Sequence, residues 1–551
     1  MSSIARYWRT LRHLKLAQVL GQVTQRLGTR GRDPSKTFGQ SWTLSPNEDG
    51  LSIYDPVPPQ QCEKLSKGLF NFVGHAADLG SPPDWSSPDQ SKLWQYNLHY
   101  FDWLWTLLPE EAGSWNTART ITLDWIKRYP ANKSSLGWDP YPTSLRLINW
   151  TLLFGIRHRG QVDSDQEFSA ALLESLGKQV RYLEGSLETH LQGNHLLENL
   201  VALTLVSSIL QGSDRDRLAG FAVPKLRREL SEQILSDGMH YERSPMYHLR
   251  ILWLMEVLSQ VGAPEIHDLA ADQLPRMRSA LHKLSHPDGE ISQFNDSALG
   301  IYTHHPLKQG QPGAWGLPKA GYYGFRSEAK DYLIIDAGAI GPDYQPGHAH
   351  ADLLSFELSL AGNRVISDTG VGTYDPSAQR SYARSTAAHA TVEVGGENSV
   401  EVWGSFRVGR RTEPRILKWE EFADGCLLEA EHRGYAHRPS HAVHHRRFHL
   451  SPGKLLINDR LILQDGEHAI GRIPLAPGVK ATLEGNLVRC HLGDFTFAVT
   501  VAGAARVTLE NAMSWPQFGQ GQERCVIALH IKASAPKEEW STTIAWDPET
   551  R

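Results

Sequence analysis

The stretch HPLKQGQPGAWGLPKAG, residues 305–321, separates two parts of the chain with different character. It is rich in Gly and Pro and has no apolar period, which marks a linker. On its N-terminal side, long segments repeat apolar residues at helical spacing: 145–156, 168–183, 196–210, 249–261 and 266–284. On its C-terminal side, short β-rich runs are divided by Gly, Asp, Asn and Pro. They are YLIIDAG (332–338), LLSFELSL (353–360), RVISDTG (364–370), ATVEVGG (390–396), KLLINDRLIL (454–463), ARVTLENA (505–512) and CVIALHIKA (525–533). Helices followed by strands predict two segregated domains, an α+β multidomain chain, and not an alternating α/β fold. The helical segments recur every 40–50 residues or so, as paired helices do in a closed (α/α) toroid or an open solenoid. The expected boundaries are 1–65 for an N-terminal helix and extended segment, 66–315 for the helical domain and 316–551 for an antiparallel β domain.

Composition narrows the function. Hydrophobic residues make up 40% and charged residues 21% of 551, as in globular proteins, and the net charge of -5 excludes a wholesale basic surface for nucleic acid. A local basic cleft for a polyanion remains compatible with that charge. The four cysteines (Cys62, Cys426, Cys490, Cys525) form no C-x-x-C pair, so one disulfide is possible but a disulfide framework or a thiolate zinc site is not expected. Residues 1–30 hold six Lys/Arg and no acid, and lack the apolar core of a signal peptide. Leu11, Leu14, Leu16, Val19, Leu20 and Val23 instead fit an amphipathic helix, read first as docked on the body and second as a membrane-surface or partner helix. No stretch of 18 apolar residues is present, so no transmembrane segment is expected.

Three constellations could carry chemistry. In Gly193-Asn194-His195-Leu196-Leu197-Glu198, Asn194 reads as an N-cap, and His195 and Glu198 share a helical face. An amide and an imidazole at a helix start suit a carboxylate; a capping Asn beside a surface His is the plainer reading. In DGMHYERSPMYH (237–248), Ser244-Pro245 marks a helix start, placing Tyr247 in the first turn, where the helix dipole favours phenolate and Arg243 adds positive charge. Tyr247 could therefore move a proton, or be a packed core tyrosine. In GHAHADLLSFEL (347–358), His348 and His350 would share a strand face. With Asp368 after the next strand and His389 entering another, they could make a three-ligand metal site or a hydrogen-bonded cluster. Asn97, His99 and Tyr100, and Trp138, Tyr141 and Arg146, look like aromatic and polar sugar contacts or helix-packing residues. Arg384, with Arg380, could clamp an anionic group. The histidine-rich HAVHHRRFHL (441–450) alternates as a structural strand.

Taken together, GNHLLENL, DGMHYERSPMYH, GHAHADLLSFEL, SDTGVGTYD and STAAHATV, in this order, resemble the heparinase II/III superfamily of polysaccharide lyases. The resemblance implies an incomplete (α/α) toroid packed on a two-layered antiparallel β-sandwich, with the active site between them. It implies β-elimination on a uronate-containing anionic polysaccharide, either a glycosaminoglycan or an alginate-like or exopolysaccharide chain. Asn194 would hold the uronate carboxylate, Tyr247 would be general acid and also base, and His195 and His348 would assist proton transfer. His350, Asp368 and His389 match the positions of a structural zinc. Such chemistry needs carboxylate neutralisation and a proton shuttle, not the paired carboxylates of a glycosidase. Two alternatives remain: a hydrolase drawing on Asp139, Glu198, Glu242 or Asp296, and a non-catalytic polysaccharide-binding or assembly protein of an exopolysaccharide pathway.

Overall fold

The structure, a computed structural model, describes residues 3–26, 53–109, 114–132, 135–261, 264–304, 310–504, 506–533 and 537–547. Most of the expected extended segment 33–65, and the first five residues of the 305–321 linker, lie outside them. Helices occupy the first part as far as Leu284, and the long strands begin at Gly313.

The helical domain shows the expected periods, with differences at the ends. The segment around 168–183 is the Gln166–Glu184 helix, opened by Asp165, whose Oδ1 accepts from Phe168 N at 3.0 Å. Its buried residues Phe168, Leu172, Leu176, Val180 and Leu183 follow one stripe, so one face meets the core and the other meets water. The Gly193–Ser208 and Pro245–Leu258 helices are buried nearly all round. Such helices are the inner members of a toroid, and Gly193–Ser208 packs between Pro140–Leu152 and Gly212–Gln233. The single period read over 266–284 is two helices, Pro264–Ala271 and Leu274–Leu284; Pro275 sits in the first turn of the second, where its missing N–H costs nothing. The generous tryptophan count is mainly core: Trp94, Trp103, Trp105, Trp125, Trp150 and Trp253 are fully buried, and several meet edge to face.

Beyond Gly313 every named strand pairs antiparallel. A five-stranded sheet (Gly313–Leu317, Tyr322–Arg326, Tyr332–Asp336, Phe356–Leu360, Asn363–Ile366) follows chain order, with Leu333 opposite Leu358. Its last strand meets a four-stranded sheet through an Ile366–Leu475 bridge, just past the end of that sheet's inner strand His468–Pro474. An eight-stranded sheet forms the other layer, and one hydrophobic core joins all three. Strand Lys454–Ile462 alternates buried with half-buried residues between exposed ends, the pattern of a sheet with one face in the core. HAVHHRRFHL is indeed a strand, Ala442–Ser451; inside it Arg446 and His444 both reach the buried Asp459. All four cysteines are free, so the possible disulfide is absent.

The domains are tied by buried polar contacts. His286, just past the last long helix, bonds Ser359 Oγ at 2.7 Å and Glu357 Oε2 at 2.8 Å. Asp296 from the same connecting segment reaches the sandwich side, and that contact positions the site.

Candidate active site between the helical domain and the sandwich

The site is built from two helix starts and one loop. The first helix begins at Gly193 with Gln192 as its cap residue, so Asn194 lies inside the first turn and is not the N-cap expected from sequence. Its N–H is taken by Glu242 Oε1 at 2.8 Å, a carboxylate 48 residues away. Gly193 holds φ +60°, and a Cβ there would sit 2.2 Å from that same oxygen, so only glycine lets the helix start so close to Glu242. The Asn194 amide donates to Tyr141 Oη at 3.3 Å, and its own buried Oδ1 has no protein partner. Tyr141 in turn donates to Glu198 at 2.9 Å, and Glu198 is paired with the buried Arg250 at 2.8 Å. His195 stacks on Tyr141, centroids 4.2 Å apart, and its Nδ1 meets Glu188 Oε1 at 3.1 Å. Burial pulls the His195 pKa down, but the Glu188 carboxylate outweighs it and leaves the imidazole above its ordinary value.

Ser244 caps the second helix as expected, its Oγ accepting from Tyr247 N. Tyr247 is nearly buried, stacked on His348 with centroids 4.0 Å apart, and its hydroxyl meets Tyr374 Oη at 3.0 Å. Here the helix-dipole expectation is corrected. Burial first, then the neighbouring Tyr374, hold the phenol well above its ordinary pKa, so Tyr247 is a neutral donor at rest.

His348 and His350 lie in a loop ahead of the Phe356–Leu360 strand, not on the strand itself, yet they do point together. Both rings meet one carboxylate: His348 Nδ1 at 2.9 Å from Asp296 Oδ2 and His350 Nε2 at 2.9 Å from Oδ1. Arg380 holds the same carboxylate bidentately, which keeps Asp296 well below the usual carboxylate range despite burial. The far side of His348 lies 3.5 Å from Glu242 Oε2. Glu242 therefore connects the Asn194 helix start to the sandwich histidine, and burial raises its own pKa.

Behind this wall, His350, Asp368 and His389 offer ligand atoms all within 4.8 Å of one another, fully buried, and could hold a metal ion. His350 keeps Nδ1, and His389 keeps Nε2, without a protein partner. The other ring nitrogen of each is fixed by a carboxylate, Asp296 for His350 and Asp368 for His389 at 2.7 Å. Carboxylate-oriented imidazoles with a free second nitrogen are what a metal requires, so the residues fit the group.

Several expected contact residues are committed elsewhere. His99 is buried, accepting from Trp125 Nε1 at 3.1 Å and stacking on Tyr129. Arg146 is buried over Trp125 and donates to the His99 and Gly137 carbonyls. Trp138 is buried in the same cluster with its N–H on the Tyr129 carbonyl. Arg384 donates to the Ala349 and Gly404 carbonyls, and Arg380 to Asp296, so neither is a free anion clamp. Arg243 stitches the domains through the Ala320 and Lys319 carbonyls, and Glu198 is neutralised by Arg250. In each case the polar atoms named are spent on protein partners, which ties these side chains to the packing of the fold. Asn97 is half-buried and bonds its own helix at the Leu93 carbonyl. Tyr100 and Tyr141, with Tyr96 against them, form a small aromatic cluster apart from the main core, next to His195. Sequence reasoning passed over Glu188 and Tyr374. The second stands in SDTGVGTYD, one of the segments that carry the resemblance; nothing local marks the first.

The fold is a helical toroid on an antiparallel sandwich, and the family that shares it is one of polysaccharide lyases. The chain belongs to the heparinase II/III-like family: the model of its N-terminal domain matches residues 61–306, and that of its C-terminal domain residues 309–546. Among characterised relatives, it is 26% identical to FtsZ-localized protein C of Caulobacter vibrioides over 456 residues, covering 78% of this chain and 75% of that one. It is also 26% identical to heparin-sulfate lyase of Pedobacter heparinus over 442 residues, covering 68% of this chain and 62% of the relative. The fold is similar to the crystal structure of heparinase III (TM-score 0.69, 18% identity, 86% of this chain and 80% of that one). It is similar too to heparan sulfate lyase from Pedobacter heparinus (TM-score 0.59, 19% identity, 96% and 88%).

Proposed function

We propose that this protein cleaves a uronate-containing polysaccharide by β-elimination, with glycosaminoglycans of the heparan sulfate kind as the first substrate class to test. The observation that supports the reading is the Glu242 link, whose two oxygens meet Asn194 N–H and His348 Nε2 from the two domains, with Tyr247 against His348 and His195 against Tyr141. Asn194 and the His195 cation would hold the uronate carboxylate and so acidify the proton beside it. Tyr247, neutral at rest, would deliver a proton to the leaving glycosidic oxygen; deprotonated during the cycle, it would serve as base, with Tyr374 and His348 in contact to relay the charge. The aromatic cluster of Tyr100 and Tyr141 would support the neighbouring sugars.

Zinc is the proposed metal at His350, Asp368 and His389, two nitrogens and an oxygen being a familiar zinc set. When bound, it would supply a fixed charge that stiffens the sandwich wall. The chain's own part is to present the three ligands and, through Asp296, to share that wall with His348.

A hydrolytic mechanism is disfavoured because three of its four candidate carboxylates are engaged. Asp139 accepts from Tyr96, Glu198 pairs with Arg250, and Asp296 pairs with Arg380. Glu242 alone cannot supply the pair that hydrolysis needs. A non-catalytic polysaccharide-binding or assembly role is the reading that the test must separate from turnover.

The test is ultraviolet absorbance during incubation with heparan sulfate, chondroitin sulfates, hyaluronan and alginate. A rising unsaturated-uronate signal is expected with at least one of them. New reducing ends without that signal would overturn elimination, and binding without any product would establish the assembly role.

A further inference from the structure

The N-terminal helices Ser3–Leu11 and Leu16–Arg26 carry their faces the wrong way round for a strap docked on a protein. An amphipathic helix on a globular body normally buries its apolar stripe and wets its polar one. Here the polar side grips the body. Arg9 forms a forked pair with Glu401 of the sandwich (2.6 and 2.8 Å), and Thr10 accepts from Trp403 Nε1 at 3.1 Å. Lys15 pairs with Glu232 of the helical domain and lies over the Tyr344 ring, while Gln18 donates to the Tyr344 carbonyl at 3.0 Å.

The apolar stripes face outward. Ile4, Trp8 and Leu11 fall at i, i+4 and i+7 of the first helix, and Leu16, Leu20 and Val23 at the same spacing in the second, joined by Val19. Ile4 is 77% exposed, Trp8 67%, Leu16 73% and Leu20 56%. Eight of the fourteen exposed large hydrophobic side chains among the described residues lie between Ile4 and Val23. That concentration is far from the scattered single exposures of an ordinary surface.

Charge selects the occupant. The first 30 residues hold six Lys/Arg and no acid on a chain of net charge -5. Arg12 flanks the first stripe and is exposed; Arg6, also exposed there, has its Nε on Glu401 at 3.2 Å, and Arg9 and Lys15 are held in the ion pairs above. Apolar side chains with an interfacial Trp and Tyr, bordered by arginines and lacking acids, match the boundary of an anionic bilayer. We propose that these two helices lie on an anionic lipid surface and anchor the enzyme there, a role that does not depend on the lyase reading. Because the same helices clasp both domains, the anchor would fix the orientation of the cleft relative to that surface.

The experiment is co-sedimentation of the full chain with vesicles of phosphatidylcholine alone and of phosphatidylcholine with one quarter phosphatidylglycerol. Binding is expected to the mixed vesicles, weakened by salt. The double substitution Trp8→Glu with Leu20→Glu should lower the bound fraction about tenfold or more, and Arg12→Glu about fivefold or more. Both leave the clasp to Glu401 and Glu232 in place, so an unchanged thermal midpoint checks that the fold is intact. Absence of binding to either vesicle, or equal binding by the double variant, would overturn the proposal. So would a solution dimer that the double variant returns to a monomer, since the stripes would then be a self-contact.

Discussion

Two histidine–carboxylate pairs in this molecule look alike on paper and behave differently. His195 meets Glu188 at 3.1 Å on the helical wall, and His389 meets Asp368 at 2.7 Å behind the sandwich wall. In both, burial lowers the imidazole pKa and the carboxylate raises it by more. What separates them is access: the His195 side chain is 27% exposed, while His389 has none of its side chain exposed. Solvent can reach the first, whereas only a small ion built in during folding could sit beside the second. Neighbouring His350, equally sealed, is pushed down to about 4 by burial ahead of its bond to Asp296, and so stays neutral, the state in which an imidazole can ligate. The residue types are the same; the solvent decides whether a pair does chemistry or holds structure.

The comparison can be broken most sharply at Tyr247, nearly buried against His348 on the site wall. Tyr247→Phe removes one hydroxyl contact and should lower kcat by about 10²–10⁴-fold with little change in thermal midpoint. Turnover close to the parent's would mean that this wall is not the proton-transfer site. On the sealed side the effect should move to stability. Asp296→Asn strips the charge that two histidines and Arg380 share, and should cost about 3–5 kcal/mol in denaturant unfolding; a loss of activity with unchanged stability would put Asp296 with the chemistry instead. Third, chelation of purified protein should lower the thermal midpoint by about 5 °C while leaving early turnover intact. Elemental analysis should find zinc in untreated protein and none in His389→Ala.

The smallest effect concerns the His195–Glu188 pair. The folded His195 pKa lies above its unfolded value near 6.5. The stabilisation is therefore complete below about pH 6.5 and lost as pH rises through the raised folded value. Glu188→Gln should thus cost about 1 kcal/mol near pH 6 and less toward pH 9, measured as the gap in unfolding free energy from the parent. A gap that widens with pH would contradict the pair.

Much of the architecture could be read without coordinates. Strand alternation over Lys454–Ile462 and the Ser244-Pro245 helix start rest on neighbours within a few residues, and the structure has both. The five segments in their order carried the family. Errors came where a distant group intervened. Asn194 looks like a cap until Glu242 arrives to take its N–H. Arg146 looks like a sugar contact or a packing residue, and Arg384 like a clamp, until the fold surrounds both with carbonyls. Tyr247 looks activated by a helix start until burial reverses the sign.

By itself, then, the sequence determined the two-domain order, the helix and strand periods and the residue types available for a lyase, because these follow from local backbone preference and the pattern of apolar side chains. The tertiary structure alone decided which histidines are open and which are sealed, that Glu242 and Asp296 join the two walls, and that the N-terminal helices turn their apolar stripes outward. Those are properties of contacts between groups tens to hundreds of residues apart and of the solvent they exclude, and no local pattern encodes either.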